Sequence, residues 1–126
     1  MIAVGQMLVL AERSVTNEFA DHLEPGAIEA FDDPYEALVT MQQRAWSSVV
    51  IAASYIGLGG LCRAVRRLQP QANVIVLCGP GMESEVRSLA DGIITDSIID
   101  DYFIYPLTAV EWRKLAEIDH RAVPTY

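Results

Sequence analysis

One uncharged run strongly constrains what this chain can fold into. Residues Val49–Ala53 read Val-Val-Ile-Ala-Ala and lie between two serines. A short, β-branched run without polar alternation is typical of a strand that is buried on both faces. Helical patterns lie on either side of it, so we place this strand at the centre of an α/β sandwich. Chemistry in such sheets lies past the carboxyl ends of the strands, which here means Ala52–Ser54.

Composition limits the class of protein. At 126 residues, with 52% hydrophobic and 21% charged residues, the chain is expected to form one globular domain. The net charge of −8 argues against direct binding of nucleic acid or of an anionic membrane surface. We expect no membrane span and no secretory signal. Cys62 and Cys78 are too few for a disulfide framework or a zinc site, so reduced thiols and a cytoplasmic location are expected.

The apolar and capping patterns predict strands that alternate with helices. The strands are predicted at residues 7–10, 27–31, 48–53, 73–78 and 101–105. Ser14 is the predicted N-cap of the first helix, and Thr108 with Glu111 forms a capping box for the last. Such alternation implies a parallel sheet with helices on both faces.

Two segments are less well defined by these patterns. Residues 91–100 contain either a further strand at Gly92–Thr95 or an irregular insert. We expect the domain to span residues 1–120. Residues 121–126 are expected to form a tail or the start of a linker.

Several motifs, in their order and spacing, resemble the receiver domains of bacterial two-component response regulators. The segment Asp101–Pro106, Asp-Tyr-Phe-Ile-Tyr-Pro, resembles the family's Asp-Tyr-x-x-Lys-Pro at its fifth strand. The run at 48–53 resembles the family's third strand, Asp-x-x-x-x-Asp, and 74–79 resembles its fourth. Gly59, Gly60 and Leu61 resemble the opening of its third helix. The resemblance implies a flavodoxin-like (βα)5 three-layer sandwich with sheet order 2-1-3-4-5.

The same resemblance implies a phosphotransfer site that has lost its reactive groups. Receiver domains accept a phosphoryl group on an aspartate, hold Mg²⁺ with an acid pair, and bind phosphoryl oxygens with a hydroxyl and a lysine. By resemblance the nucleophile position falls on Ala53, and the acid pair falls on Ala11 and Glu12. The hydroxyl position falls on Cys78. The lysine position falls on Tyr105, and the proline that follows it is Pro106. We therefore expect no catalytic residue, no bound metal and no cofactor, and a protein that is not an enzyme.

The first functional hypothesis is a protein–protein interaction module that works without phosphorylation. Its partner would be a second copy, a signalling protein or an output domain. By analogy with the family, the contact face combines the fourth helix, the fifth strand and the last helix. Exposed candidates on that face are Arg87, Asp101, Tyr102, Glu111, Arg113 and Lys114. Opposite charges could pair there across a two-fold axis.

Other hypotheses remain open at this point. A small-ligand or anion sensor would use free amides in two loops that each precede a helix, with Gly57, Gly59 and Gly60 in one and Gly79 and Gly81 in the other. Turns that simply need glycine are the alternative. A third hypothesis is an active phosphoacceptor with displaced residues. A flavodoxin-like domain without receiver ancestry is the fourth, because fold alone does not fix function.

Overall fold

A five-stranded parallel sheet forms the centre of the molecule. The computed structural model describes residues 4–55, 57–79, 81–84, 86–87 and 98–121. The strands are β1 (Met7–Leu10), β2 (Ile28–Phe31), β3 (Ser48–Ala52), β4 (Asn73–Cys78) and β5 (Asp101–Ile104). Their order is β2-β1-β3-β4-β5, and every pair is parallel. This is the predicted flavodoxin-like α/β fold, with the uncharged run in the central strand.

Helices connect the strands. They are α1 (Arg13–His22), a 3₁₀ turn (Pro25–Ala27), α2 (Pro34–Met41), α3 (Leu58–Leu68) and the C-terminal helix (Ala109–Arg121). Residues 83–84 and 86–87 are also helical, in agreement with the start of the predicted fourth helix. The remainder of that helix, the uncertain segment 91–97 and the tail 122–126 lie outside the described residues. None of the helices described is long and apolar enough to cross a membrane.

The sheet separates two apolar layers. One layer packs Val49 and Ile51 of β3 against α2 and α3. The other packs Val50 against α1 and the C-terminal helix, which contributes Trp112 and Leu115. Because successive side chains of a strand point to opposite faces, an uninterrupted apolar run can fill both layers at once. The central strand thereby holds the ends of β1, β3 and β4 side by side.

Local signals at helix ends are partly confirmed. The Thr108–Glu111 capping box forms, with Glu111 N donating to Thr108 Oγ1 at 3.3 Å and Thr108 N donating to Glu111 Oε1 at 3.0 Å. The prediction of Ser14 as the N-cap of α1 is wrong, because α1 begins at Arg13 and Glu12 occupies the N-cap position. The side chain of Glu12 makes no capping hydrogen bond.

The predicted start of α3 is also wrong. Gly59 and Gly60 were expected in a loop before the helix, but α3 begins at Leu58 and contains both. Leu58, Cys62 and Val65 are its buried positions, and this i, i+4, i+7 face begins earlier than the glycines suggested. Gly57 precedes the helix with φ = 72°, a left-handed conformation that a side chain would disfavour.

Candidate functional site

The carboxyl ends of the strands surround a cleft of about 270 Å³. Three of the six positions that the resemblance assigns to a phosphotransfer site, Glu12, Ala53 and Tyr105, line it together. The other lining residues are Ser14, Val15, Ala52, Ser54, Leu77, Gly79 and Met82. Ala11 and Cys78 are fully buried and do not line the cleft, and Pro106 is exposed beside it.

Ala53 directly follows the central strand, at the position where the resemblance expects an aspartate. Its side chain is 3% exposed, and its backbone N–H donates to Leu77 O at 2.8 Å. This bond continues the pairing of β3 with β4 and fixes the methyl group at the cleft. A methyl group has no lone pair, so it cannot attack phosphorus. The neighbouring Ser54 is exposed in the cleft, but a hydroxyl cannot form an acyl phosphate.

Glu12 is the one carboxylate among the residues that line the cleft. A magnesium site usually combines several oxygen ligands, whereas Ala11 and Ala53 offer only methyl groups. The described part of the chain contains no group of three or more His, Cys, Asp or Glu side chains placed to hold a metal ion. The residues at this edge of the sheet therefore do not fit the ion that receiver chemistry uses.

Tyr105 occupies the position of the expected lysine and is bonded elsewhere. Its hydroxyl donates a short hydrogen bond to the Glu18 carboxylate of α1. That bond, with burial and the negative charge of Glu18, raises the pKa of Tyr105 to about 12. At neutral pH the side chain is an uncharged phenol, and its proton is donated to Glu18. It therefore cannot replace an ammonium group that pairs with phosphoryl oxygens.

The field at this edge of the sheet is negative beyond the cleft as well. Tyr55 donates to Asp32 O at 2.9 Å. Burial raises the pKa of Tyr55, and the charges of Asp32, Glu12 and Asp33 raise it further. An acidic field stabilises protonated groups and opposes the approach of an anion.

The two cysteines are free thiols buried in the same apolar layer. Burial raises the pKa of Cys62 to about 11, against the opposing effect of Arg63 and Arg66. Burial also raises the pKa of Cys78, and the charge of Glu83 adds to it. Burial therefore favours the protonated, less nucleophilic form of both thiols. Cys78 does not supply the hydroxyl-like contact expected at its position.

The structure places the glycines of the two predicted loops in different settings. Gly59 and Gly60 lie within α3, as reported above, and Gly57 is exposed. Gly79 lines the cleft. Gly81 has φ = 90°, and its N–H donates to Glu83 Oε2 at 3.1 Å. A carboxylate thus already occupies the position that an anion would take.

The predicted contact face divides into residues with internal roles and residues that are exposed. Glu111 belongs to the capping box, and Asp101 Oδ1 accepts from Tyr102 N at 2.7 Å. Tyr102 is half-buried, and its hydroxyl accepts from Arg87 Nε at 3.4 Å. Arg113 and Lys114 project from the C-terminal helix and are exposed.

Sequence reasoning missed Glu18, the partner of Tyr105. A signal was available, because Glu18 follows Val15 by three residues and residues so spaced share a helix face. Val15 lines the cleft, so a carboxylate on the same helix face lies within reach of a cleft residue such as Tyr105. The receiver-family pattern does not predict this partner, since it has a lysine at the position of Tyr105.

Structural comparison places this fold among receiver domains. A CheY-like receiver domain protein from Methanospirillum hungatei superposes with a TM-score of 0.76 at 16% identity, covering 94% of this chain and 96% of that one. An adenylate cyclase structure from Rhodopirellula baltica gives a TM-score of 0.80 at 12% identity, covering 96% and 90%. NtrX from Brucella abortus in complex with ADP gives 0.75 at 21% identity, covering 96% of this chain but 27% of that one.

These likenesses establish a shared fold and nothing finer, because each of the three sequence identities is 21% or less. No protein-family model and no curated protein matches the sequence. The chain therefore has the CheY-like, flavodoxin-like α/β fold of response-regulator receiver domains. What it does with that fold depends on its own residues.

Proposed function

We propose that this chain is a non-phosphorylatable receiver-like domain that acts as a protein–protein interaction module in bacterial signal transduction. The observation that carries the proposal is Ala53, a methyl group where the fold normally presents its reactive aspartate. Acyl phosphate formation needs a carboxylate nucleophile, and this position has none. Signalling through such a domain must depend on contacts between surfaces.

The surroundings of Ala53 support the proposal. Tyr105 bonds to Glu18 and stays neutral, and the residues near Glu12 do not complete a magnesium site. These changes remove the metal, the cation and the nucleophile together.

The proposed partner is a protein, in the cytoplasm. The net charge of −8 disfavours nucleic acid and anionic membranes as direct partners. On the predicted contact face, Arg113 and Lys114 are exposed cations on an acidic molecule. Such charges are available to set the orientation and association rate of a protein partner.

Light scattering coupled to size exclusion tests whether that partner is a second copy. We expect association of the wild type, loss of association in Arg113→Glu, and no effect of Arg63→Glu. Arg63 is exposed on α3, so it provides the same charge change on the other layer. A monomer that is unchanged in all three proteins would contradict homodimerisation through this face.

A ligand sensor is the second candidate, favoured by the volume of the cleft alone. At about 270 Å³ it could admit a small molecule, but its acidic field and the Gly81–Glu83 bond oppose an anion. A thermal-shift screen with nucleotides and inorganic phosphate separates the candidates. A specific ligand raises the melting temperature with the logarithm of its concentration. We expect no such shift.

A further inference from the structure

Two exposed surfaces of this molecule carry apolar side chains next to opposite charges. Among the described residues, the large hydrophobic side chains that are exposed are Tyr35 (75%), Val39 (39%), Ile104 (45%) and Val110 (73%). Single exposed apolar residues are normal on protein surfaces. Tyr35 and Val39, however, lie one turn apart on the same helix, and Val110 lies in the first turn of the C-terminal helix, whose next turn is basic.

The first surface is the α2 face, which consists of Tyr35, Val39 and Glu36 with Asp32 and Asp33 before the helix. All five residues are exposed. The chain contains no Lys, Arg or His between His22 and Arg44, and Arg44 pairs with Glu29 at 2.9 Å. Arg13 is a cation close to this face, since it shares a shallow pocket with Asp32 and Glu36. The α2 face is therefore an apolar pair with a predominantly acidic border.

The second surface is the C-terminal helix face, which consists of Val110, Arg113 and Lys114. These residues follow i, i+3, i+4 spacing, so they lie on one side of the helix, and all three are exposed. Glu117 is exposed one turn further along the same side, which confines the basic region to the first two turns. The opposite side of the helix packs Trp112 and Leu115 into the core.

The two surfaces lie on opposite layers of the sandwich. α2 packs on one side of the sheet through Ala37 and Met41, and the C-terminal helix packs on the other side through Trp112 and Leu115. They cannot meet within one molecule, and a single two-fold interface cannot contain both. A contact between them must join copies head to tail.

We propose that the α2 face of one copy binds the C-terminal helix face of a second copy. Tyr35 and Val39 would pack near Val110, while Glu36 with Asp32 and Asp33 would face Arg113 and Lys114. The inference rests on the proposed interaction function and names the partner as another molecule of the same chain. Exposed ion pairs contribute little individually, and each copy carries a charge of −8, so the contact is weak and depends on protein concentration.

Charge reversal with complementation tests this arrangement by sedimentation velocity. Glu36→Lys damages the acidic face alone, and the double variant Arg113→Glu with Lys114→Glu damages the basic face alone. We expect each variant by itself to remain monomeric at concentrations where the wild type associates. Mixed together, they should form a dimer and nothing larger, because each supplies the face that the other has lost. Asp21→Lys makes the same charge change on the exposed side of α1 and should associate as the wild type does.

A further variant tests the apolar part of the contact. Tyr35→Ser should raise the dissociation constant by about tenfold, since a large exposed aromatic residue is typical of an interface anchor. Circular dichroism of every variant confirms that the fold is retained.

The opposing outcomes are distinct. Wild type that stays monomeric at millimolar concentration would overturn the head-to-tail contact and leave the proposed function to a different protein partner. Association that survives Glu36→Lys but not the Arg113 and Lys114 double variant would also overturn it, and would support a two-fold contact through the C-terminal helix instead.

Discussion

The two ends of the parallel sheet use polar residues in opposite ways. At the carboxyl end, where this fold normally performs chemistry, the key positions are Ala11, Ala53 and Cys78, and Tyr105 bonds back to its own scaffold. At the amino end, the buried polar side chains Asp119, Ser48 and Gln69 make two separate sets of hydrogen bonds, one around Asp119 with Ser48 and one around Gln69. The contrast shows that buried polar groups form structural joints at the amino end, whereas the named positions at the carboxyl end carry mainly apolar side chains.

Asp119 is the centre of the amino-end network. It is fully buried, and its carboxylate accepts from Gly5 N at 2.7 Å, Ser47 Oγ at 2.7 Å and Ser48 Oγ at 2.5 Å. These bonds join the C-terminal helix to the segments before β1 and β3. A Cβ on Gly5 would lie 2.8 Å from Ser47 Oγ, so any other residue here would displace the hydroxyl that bonds to Asp119.

Gln69 forms the second joint. Its Oε1 accepts from Trp46 N at 2.9 Å, and its Nε2 donates to Met41 O at 2.7 Å and Arg44 O at 2.8 Å. The side chain is 5% exposed and satisfies the backbone of the connection between α2 and β3. Buried backbone groups need partners, and this connection has no regular structure to supply them.

The largest expected effect is that of Asp119→Ala at the amino end. The change removes the acceptor of the buried Ser48 hydroxyl and of the partly buried Gly5 N–H, whereas the Ser47 hydroxyl can still donate to Gln6 O. We expect the free energy of unfolding to fall by about 3 kcal/mol or more, because buried donors that lose a charged acceptor are costly. Urea denaturation followed by circular dichroism measures it. A loss below about 1 kcal/mol would contradict the structural role of this carboxylate.

Gln69→Ala should have the next largest effect. Loss of its three bonds leaves the connection before β3 unsatisfied, and we expect about 2 kcal/mol of destabilisation. Gln71→Ala is the matched control, since Gln71 lies two residues away and is exposed. The control should change stability by less than about 0.5 kcal/mol. Equal effects of the two substitutions would show that the bonds of Gln69 contribute nothing.

Tyr105→Phe tests the carboxyl end and should cost about 1 kcal/mol at neutral pH through loss of the bond to Glu18. The pKa of Tyr105 lies above its usual value of 10.0, at about 12 in the folded state. A raised pKa of this kind stabilises the folded protein below about pH 10, and the contribution disappears as pH rises through 12. The difference between wild type and variant, measured by denaturation at several pH values, should therefore shrink over this range. A difference that is constant with pH would contradict the bond.

The smallest expected effect is that of Glu12→Ala. Glu12 is exposed and makes no capping bond, so stability should change by less than about 0.5 kcal/mol. Addition of Mg²⁺ should leave the melting temperature of both proteins unchanged. A magnesium-dependent rise in the wild type that disappears in the variant would reveal a metal site and break the contrast between the two ends.

Features set by local sequence patterns could be predicted, whereas contacts between residues far apart in the chain could not. The parallel sheet, its central uncharged strand and the Thr108–Glu111 capping box follow from local patterns, whereas the strand order was implied by the resemblance to receiver domains; each is confirmed. Asp119 could not be found in this way, because Gly5 is 114 positions away and a charged residue in a helix usually indicates a solvated face. The start of α3 was misjudged because glycine usually breaks helices, whereas burial of Leu58 and Cys62 outweighs that cost.

The candidate site was predicted at the level of positions rather than of contacts. The sequence could place Glu12, Ala53 and Tyr105 at one edge of the sheet, and the structure brings them together. It could not show that Tyr105 is bonded to Glu18, since that depends on how α1 packs beside the end of β5. Side-chain pairs between distant elements are set by tertiary packing, which a local pattern does not encode.

Intact mass spectrometry after incubation with acetyl phosphate and Mg²⁺ tests the central claim most directly. An active receiver domain treated in parallel serves as the positive control, and it should gain the mass of one phosphoryl group. This chain is predicted to remain at its unmodified mass, because Ala53 gives phosphorus nothing to bond with. A stoichiometric phosphoryl adduct that maps to a side chain of the carboxyl-end cleft would contradict the account.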